Sequence, residues 1–295
     1  MRLALGGLAT VALLVGSGCG TPQPKSPLPN ARAALDRIHA TQDCGLGIQA
    51  AAKIDHFGKG GRVRGDLLMF AIWPANLRMD VVSPFGVTLA TLTSDGDKFS
   101  LADLREKRFY FGPASSCNIA RLTTVPMPGH VLVSLMRGEA PVLKHDAANA
   151  TIEWSGKGYY VIRIASTRNA VEEIHVVPHP QDFGKPWEQQ RMRVLDVEVK
   201  QEGITLYHAM MDEHQPAAMA KPRVDPDGID PPTPVSGPVC AAELPRKIHV
   251  EVPGKDEDVR FRYENVTWNP PIIEGLFGQP IPGGVEVVRV TCDKE

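Results

Sequence analysis

Apolar and polar residues alternate along most of the chain after residue 45. In the run from Leu77 through Met79 to Val81, every second side chain is apolar. This period predicts a strand with one apolar face and one wet face. The same period recurs at residues 107–111, 195–200, 247–252 and 259–264. Six up-and-down strands are expected near residues 45–56, 62–71, 76–83, 87–94, 97–102 and 105–111. We expect ten or eleven strands in all, on the same pattern of short strands and turns. That number predicts a barrel or a strongly curled sheet.

Two segments have the spacing of helices instead. Asn30 can cap a helix over residues 30–40, in which Ala34, Leu35 and Ile38 fall on one face. A second helix is predicted over residues 128–137, and Gly138 ends it. A few helices beside one large antiparallel sheet predict an α+β fold.

Residues 214–238 interrupt the alternation with seven prolines. Proline cannot donate to a strand ladder, so we expect a long exposed loop without strand pairing. The alternating pattern resumes after residue 240. We therefore interpret residues 31–295 as one domain that carries this proline-rich loop as an insertion.

The N-terminus has the layout of an export signal. Arg2 precedes an apolar run over residues 3–15, and small residues at 16–18 lead to Cys19. This layout predicts a signal peptide over residues 1–18, because the apolar run is too short to span a bilayer. The order resembles a bacterial lipoprotein box, although Gly16 stands where that motif usually has Leu. The resemblance implies that Cys19 is acylated, for example with palmitate. The alternative is a plain signal peptide with an incidental cysteine.

The residues after Cys19 favour attachment at a distance from the membrane. Residues 19–30 contain four prolines among polar residues, which predicts a flexible tether. By the same resemblance, an Asp after the lipidated cysteine keeps a lipoprotein at the inner membrane. Gly20 occupies that place. We therefore expect a lipid anchor in the outer membrane, with the protein facing the periplasm.

Four cysteines follow Cys19, namely Cys44, Cys117, Cys240 and Cys292. An even number in an exported protein predicts two disulfides, and the irregular spacing is unlike a zinc site. Three pairings are possible. Six strands between Cys44 and Cys117 return the chain to its starting end, so we expect a Cys44–Cys117 bond. The second pair is then Cys240–Cys292 by subtraction.

Charge and motifs exclude several functions. The net charge is −2 and no Lys/Arg run occurs, which argues against nucleic acid as a partner. There is no Gly-x-Ser-x-Gly, Walker loop or His-Glu-x-x-His, so we expect no enzyme, no catalytic residue and no cofactor. His175 and His179 are four residues apart, but they lie in a predicted strand and turn. That spacing brings two ligands together on a helix, so no metal site is expected.

Several short motifs follow one another in a recognisable order. They are a strand with Arg78, the turn Ser83-Pro84-Phe85-Gly86, Asp95-Gly96, the aromatic strand at residues 109–111, a helix with Gly138-Glu139-Ala140-Pro141 after it, and Asn269-Pro270-Pro271 near the C-terminus. This order resembles the LolA/LolB-like superfamily of bacterial lipoprotein carriers and receptors. The resemblance covers about two thirds of the mature chain.

The resemblance implies an unclosed antiparallel β-barrel with helices over its open side and a hollow for acyl chains. A curled sheet of this size can enclose one apolar ligand. The residues expected to line the hollow are Leu77, Met79, Val81, Leu89 and Leu132; the alternative is simple core packing. Phe85, on its turn, is expected to contact a membrane or a cargo. Alternatively, it folds back onto the core.

The expected function is that of an outer-membrane-anchored lipoprotein that binds acyl chains or lipoproteins in an apolar cavity, as part of lipoprotein localisation. Its partners would be acyl chains or lipoproteins and, through the anchor, a membrane surface. The alternative is a structural or assembly lipoprotein that uses the same fold to hold an envelope protein.

We predict that Cys19 is lipidated. Intact mass of the membrane-extracted protein should show an acylated N-terminus at Cys19, and Cys19→Ser should release the protein from membranes. A mature chain that begins elsewhere, or a Cys19→Ser variant that stays attached, would contradict this prediction.

Overall fold

The computed structural model describes residues 21–59, 61–123 and 125–292. The predicted signal peptide and Cys19 lie outside these residues. The described helices are α1 (Ala31–Gln42), α2 (Ser116–Thr123) and α3 (Gly129–Met136). The described strands are β1 (Gly47–Gly58), β2 (Gly61–Ile72), β3 (Asn76–Val82), β4 (Thr88–Ser94), β5 (Lys98–Asp103), β6 (Arg108–Pro113), β7 (Ala150–Ser155), β8 (Tyr159–Ala165), β9 (Ala170–Pro178), β10 (Met192–Gln201), β11 (Ile204–Pro216), β12 (Ala218–Met219), β13 (Glu243–Val252), β14 (Glu257–Trp268) and β15 (Glu286–Arg289).

These strands form a single sheet in the order β15-β6-β5-β4-β3-β2-β1-β14-β13-β11-β10-β9-β8-β7, with β12 beside β14. The strands β1 to β6 are an antiparallel meander, and the pairing of β1 with β14 joins it to the second half. The sheet does not close, because β15 and β7 are its two ends. The predicted α+β fold with an unclosed, curled sheet is confirmed. Two pairs are parallel, β12 with β14 and β15 with β6.

The inner face of the sheet is apolar because the alternation is in register across strands. Met79 lies opposite Met69 in β2 and Leu92 in β4. All three side chains are buried in one hydrophobic cluster. Such cross-strand pairs are the unit of sheet stabilisation. The first six strands lie within a few residues of their predicted positions for this reason.

Three helices cover the inner face. Helix α1 packs against β7 and β10, α2 against β5, and α3 against β2 and β3. Asn30 caps α1 as predicted, since its side chain accepts a hydrogen bond of 2.9 Å from the amide of Ala33. Helix α3 coincides with the second predicted helix. Helix α2 was not predicted, because eight residues are too few for a periodic signal.

The C-terminal residues 269–292, here the C-terminal strap, cross the outer face of the first half of the sheet. The side chain of Gln279 donates to the carbonyl of Thr91 (3.0 Å) and to the hydroxyl of Ser100 (3.1 Å). Arg78 donates to the carbonyl of Leu276. The strap ends as β15, paired with β6. It therefore buries an outer face that alternation alone predicts to be wet.

The disulfides are Cys44–Cys240 and Cys117–Cys292, with Cα separations of 4.9 and 6.2 Å. All four predicted cysteines are bonded, but the predicted pairing is wrong. The strand count did place Cys44 and Cys117 at the same end of their strands. Yet β1 and β6 are five strands apart, roughly 24 Å along the sheet, whereas a disulfide needs a Cα separation of about 4.4–6.8 Å. Cys44, just before β1, bonds instead to Cys240, just before β13. Cys117, just after β6, bonds to Cys292, just after β15.

The proline-rich loop is more ordered than expected. Strand β11 continues to Pro216, and β12 pairs with β14 inside the segment predicted to lack strand pairing. A further bridge joins Arg223 to Thr233. The paired residues Ala218 and Met219 lie between the prolines and keep their amides, so they can take part in strand pairing.

Residues 21–30, which composition predicts as a flexible tether, are docked on the body instead. The amide of Thr21 donates to the carbonyl of Gly156 (3.1 Å), and Leu28 is buried with its amide on the hydroxyl of Tyr160 (3.2 Å). Ser26 accepts hydrogen bonds from residues 187 and 190. An extended proline-rich segment keeps its carbonyls and remaining amides free, so it can bond to neighbouring loops.

Asn269, at the end of β14, connects three parts of the chain. Its side-chain amide donates to the carbonyls of Cys44 (2.8 Å) and Pro238 (2.7 Å), and its side-chain oxygen accepts from the amide of Gly47 (3.3 Å). The residue is fully buried and has a φ of 53°. Asparagine tolerates this left-handed backbone better than most residues, and its side chain satisfies three buried groups at once.

We predict that Asn269→Ala destabilises the protein by about 2–4 kcal/mol, because it leaves three buried groups unpaired and strains the backbone. Urea unfolding measures the change. The control is Asn265→Ala, at an exposed position of the same strand, which should stay within about 0.5 kcal/mol. Equal effects from the two substitutions would contradict the role of Asn269.

Candidate functional site

A cleft of about 950 Å³ opens between the helix layer and the second half of the sheet. Its walls are α1, α3, the segment 139–147, and parts of β10 and β11. The apolar lining consists of Leu35, Ile38, Trp73, Pro74, Pro128, Val131, Ala140, Pro141, Val142, Leu143, Ala147, Ala150, Val199, Leu206 and Tyr207. The polar lining consists of Arg32, Asp36, His39, His130, Ser134, Glu139, His145 and Arg168. The volume is at the upper end of the roughly 300–1,000 Å³ of ligand pockets.

A buried arginine fixes one end of this cleft. The Arg137 guanidinium, at the C-terminal end of α3, donates to the carbonyl of Gly45 (2.8 Å) and pairs with Glu139 (3.2 Å). Burial lowers the pKa of Arg137, and the nearby Glu139 charge opposes that shift. Glu139 also contacts His39 of α1, at 3.1 Å. These contacts join the end of α3 to α1 and so set the width of the cleft there.

The turn after α3 depends on Gly138. Its φ is 76°, and a Cβ there would lie 2.6 Å from Cδ of Pro245. The amide of Glu139 donates to the carbonyl of Ser134 across the end of the helix. This is the C-terminal glycine turn that ends many helices, and it directs residues 139–143 along the cleft.

A protonated carboxyl group lies immediately behind the cleft wall. Glu172 in β9 is fully buried, and its Oε2 accepts the amide of Leu143 at 2.8 Å. No described residue bonds to its Oε1. Burial raises the pKa of Glu172 to about 8. Burial also raises the pKa of Tyr207, and Glu172 adds to that shift. At neutral pH the wall formed by Leu143 and Tyr207 is therefore mostly uncharged.

The predicted lining residues lie elsewhere. Leu77, Met79 and Leu132 are fully buried in the core, and Val81 packs against it half-buried. None of them lines the cleft. Because side chains alternate along β4, Leu89 lies on the same face of the sheet as Thr91. The strap covers that face, and the helices cover the other. The cleft residues that the alternation missed are in α1 and in residues 139–143, and the only signal for them was the apolar face of α1.

Phe85 is 92% exposed at the tip of the β3–β4 turn. The turn is held by Ser83, whose carbonyl accepts the amide of Gly86 and whose hydroxyl accepts the amide of Val87. Phe85 therefore does not fold back onto the core. Its contact with a membrane or a cargo stays a prediction.

His175 and His179 each have partners of their own. His175 shares a hydrogen bond with Glu173 (2.8 Å), and His179 lies 3.4 Å from Glu243. The two histidines therefore contact different carboxylates. Among the described residues, no helix has both the length and the apolarity needed to cross a membrane.

Comparison with known proteins identifies the fold. No family model and no curated protein matches the chain. A DUF1329 family protein from Desulfovibrio piger is similar in structure with a TM-score of 0.50, over 86% of this chain and 98% of that one, at 10% identity. A LolA superfamily protein from Nitrosomonas europaea has a TM-score of 0.49, over 85% and 98%, at 10% identity.

A candidate outer membrane lipoprotein-sorting protein domain from Vibrio parahaemolyticus has a TM-score of 0.49, over 84% of this chain and 95% of that one, at 10% identity. The chain shares its fold with the Desulfovibrio piger protein. The unclosed, curled sheet that the motif order implied is the architecture observed. At this identity the likeness extends to the fold alone.

We predict that Glu172→Gln changes the pH dependence of stability. In the unfolded chain Glu172 ionises near pH 4.5, but in the folded protein it ionises only near pH 8. The folded state binds the extra proton, so wild-type stability falls relative to the variant as pH rises from 4.5 to 8. Glutamine can keep the hydrogen bond from Leu143 and cannot ionise.

Urea unfolding of both proteins between pH 5 and 8 measures the difference. It should change by roughly 3–4 kcal/mol over the range, at about 1.4 kcal/mol for each pH unit between the two pKa values. Because other titrating groups are common to the two proteins, their effects cancel. Parallel stability curves would show that Glu172 is ionised in the folded protein.

Proposed function

We propose that the protein binds acyl chains, free or on a lipoprotein, in the cleft between α1, α3 and the strands β10 and β11. The observation that carries the proposal is the cleft itself, which is large, open and lined mainly by apolar side chains. A protonated Glu172 behind the wall supports it, because an ionised carboxylate there would disfavour an apolar ligand.

The lining fits a ligand with an apolar chain and a polar end. Each buried CH₂ group stabilises a complex by about 0.8 kcal/mol, so a long chain gains several kcal/mol without specific polar contacts. Arg32, His39 and Arg168 belong to the lining and can meet the polar end. His39 also pairs with Glu139, and Arg32 with Asp36. Because the lining is mainly apolar, the proposal is that of a binding protein and not of an enzyme.

The proposed location is the outer membrane, through acylated Cys19. Thr21 bonds to the β7–β8 turn, since its amide donates to Gly156 and its carbonyl accepts from Trp154. Two residues of chain span at most about 7 Å, so a lipid on Cys19 would hold the β7–β8 turn close to the membrane. Phe85 lies at the opposite end of the strands. This arrangement favours contact of Phe85 with a cargo over its contact with the anchoring membrane.

One observation favours a second function, the holding of an envelope protein. Ile229, in the proline-rich loop, is 82% exposed. The carboxylate of Asp225 accepts the amides of Asp227, Ile229 and Asp230, which fixes the loop around the exposed side chain. An ordered apolar tip of this kind suits contact with another protein.

The test is binding of a fluorescent long-chain acyl probe to the membrane-extracted protein, with mass spectrometry of co-extracted lipids. Val142→Arg places a charge in the cleft and should weaken probe binding at least about tenfold. The matched control is Val171→Arg, because Val142 and Val171 are 45% and 48% exposed and only Val142 lines the cleft. Absence of probe binding, or equal losses in both variants, would overturn the proposal. Binding of a protein lost on Ile229→Asp would support the second function.

A further inference from the structure

Histidines and carboxylates form rows on the outer face of the second half of the sheet. His175 shares a hydrogen bond with Glu173 (2.8 Å), and His208 shares one with Asp196 (2.7 Å). These contacts have the geometry of ordinary surface pairs. They stabilise exposed strands modestly and need no ligand.

His249 differs from these neighbours. Its Nε2 lies 2.9 Å from Oδ1 of Asp258 and 3.6 Å from Oε1 of Glu251. Both Nε2 and Oδ1 are shielded from solvent, and neither makes a hydrogen bond to any described residue. The angles between the two atoms do not suit a hydrogen bond although the distance does. Two buried polar atoms that face each other without a hydrogen bond require an explanation.

The backbone places the three side chains together. His249 and Glu251 are two residues apart in β13, so they project from the same face of the sheet. Asp258 lies directly opposite Glu251 in the β13–β14 pair. The turn at residues 253–256 joins the two strands, which brings all three ligands from one hairpin. Their ligand atoms lie within 4.8 Å of one another.

The two separations from Nε2 of His249, 2.9 Å to Asp258 and 3.6 Å to Glu251, approach those between the ligands of a metal ion. Ligands about 2.0–2.2 Å from an ion, in tetrahedral or octahedral geometry, lie roughly 2.9–3.5 Å apart. One imidazole nitrogen with two carboxylate oxygens suits a divalent transition ion. We infer that His249, Glu251 and Asp258 form a binding site for a divalent transition ion, with zinc as the first candidate. The sequence-based expectation of no metal site rested on the spacing of His175 and His179.

Two further side chains border the site. The second carboxylate oxygen of Glu251 lies 3.6 Å from Nδ1 of His208, which can orient the carboxylate. Arg260 lies 3.3 Å from Oδ1 of Asp258 and is more than half exposed. Its charge opposes a cation, so Arg260 must turn toward solvent when the ion binds. Three protein ligands leave a fourth position for water or for a ligand from a partner.

The site is on the face of the sheet opposite the cleft. Zinc binding therefore does not depend on the proposed binding of acyl chains, and either can fail without the other. An ion there would fasten β13 to β14, next to the pairing that joins the two halves of the sheet.

The experiment is titration of the chelator-treated, membrane-extracted protein with zinc chloride, followed by calorimetry and by elemental analysis after gel filtration. We expect one zinc ion per chain, and a tetrahedral or five-coordinate visible spectrum when cobalt replaces zinc. His249→Ala and Asp258→Asn should each weaken zinc binding at least about tenfold. The matched control is His175→Ala, since the His175 and His249 side chains are 20% and 23% exposed.

The unfolding midpoint without zinc verifies that the variants fold. Arg260→Ala, which removes the competing charge, should strengthen binding and cannot do so by unfolding the protein. Failure of the wild type to bind zinc would overturn the inference, and so would an equal loss in His175→Ala. Either result would leave the cluster as a charged surface only.

Discussion

The junction at Asn269 is the constraint on which the rest of the sheet depends. The sheet is unclosed, so no continuous ring of strand pairing holds its two halves at a fixed curl. Asn269 connects the start of β1, the end of the proline-rich loop and the end of β14 through buried hydrogen bonds. The Cys44–Cys240 bond closes the same junction covalently. From there the strap crosses the outer face and is fastened at its far end by Cys117–Cys292. The two disulfides thus stabilise the two ends of the strap, one at the Asn269 junction and one after β15.

The curl determines where an interior space can remain. Over the first half of the sheet the side chains of β2 to β4 and α3 fill the interior, and Leu77, Met79 and Leu132 are fully buried there. Over the second half, α1 packs against β7 and β10. The contacts of Glu139 with Arg137 and with His39 fix the distance between α1 and α3. The cleft is the space that this spacing leaves. The helix layer therefore forms the cleft, and the sheet does not enclose a hollow of its own. For this reason the alternation in β3 and β4 located core residues instead of lining residues.

Features with a local cause were predictable from the sequence. Alternation located β1 to β6 within a few residues, and the capping of α1 by Asn30 depends on neighbouring residues alone. Features that depend on lateral distance were not predictable. The cysteine pairing failed because counting strands gives the end of the sheet but not the separation across it. The burial under the strap could not be inferred from residues 269–285, which lack any period. The cluster of His249, Glu251 and Asp258 requires the register of β13 with β14, and a His-x-Glu pair in one strand is too common to indicate it.

The two faces of the sheet differ between its halves, and this difference locates function. In the first half the inner face is filled by side chains, and the outer face of β4 to β6 lies under the strap, so that Thr93 and Phe109 are buried. In the second half the inner face retains the cleft, and the outer face retains its rows of histidines and carboxylates. Both candidate sites are on strands β10 to β14. A strand covered on both faces can only support its neighbours, whereas a strand with an open face can bind. The first half of the sheet thus has a structural role, and the second half carries the candidate binding surfaces. The pairing of β1 with β14, with Asn269 at its end, joins the two halves.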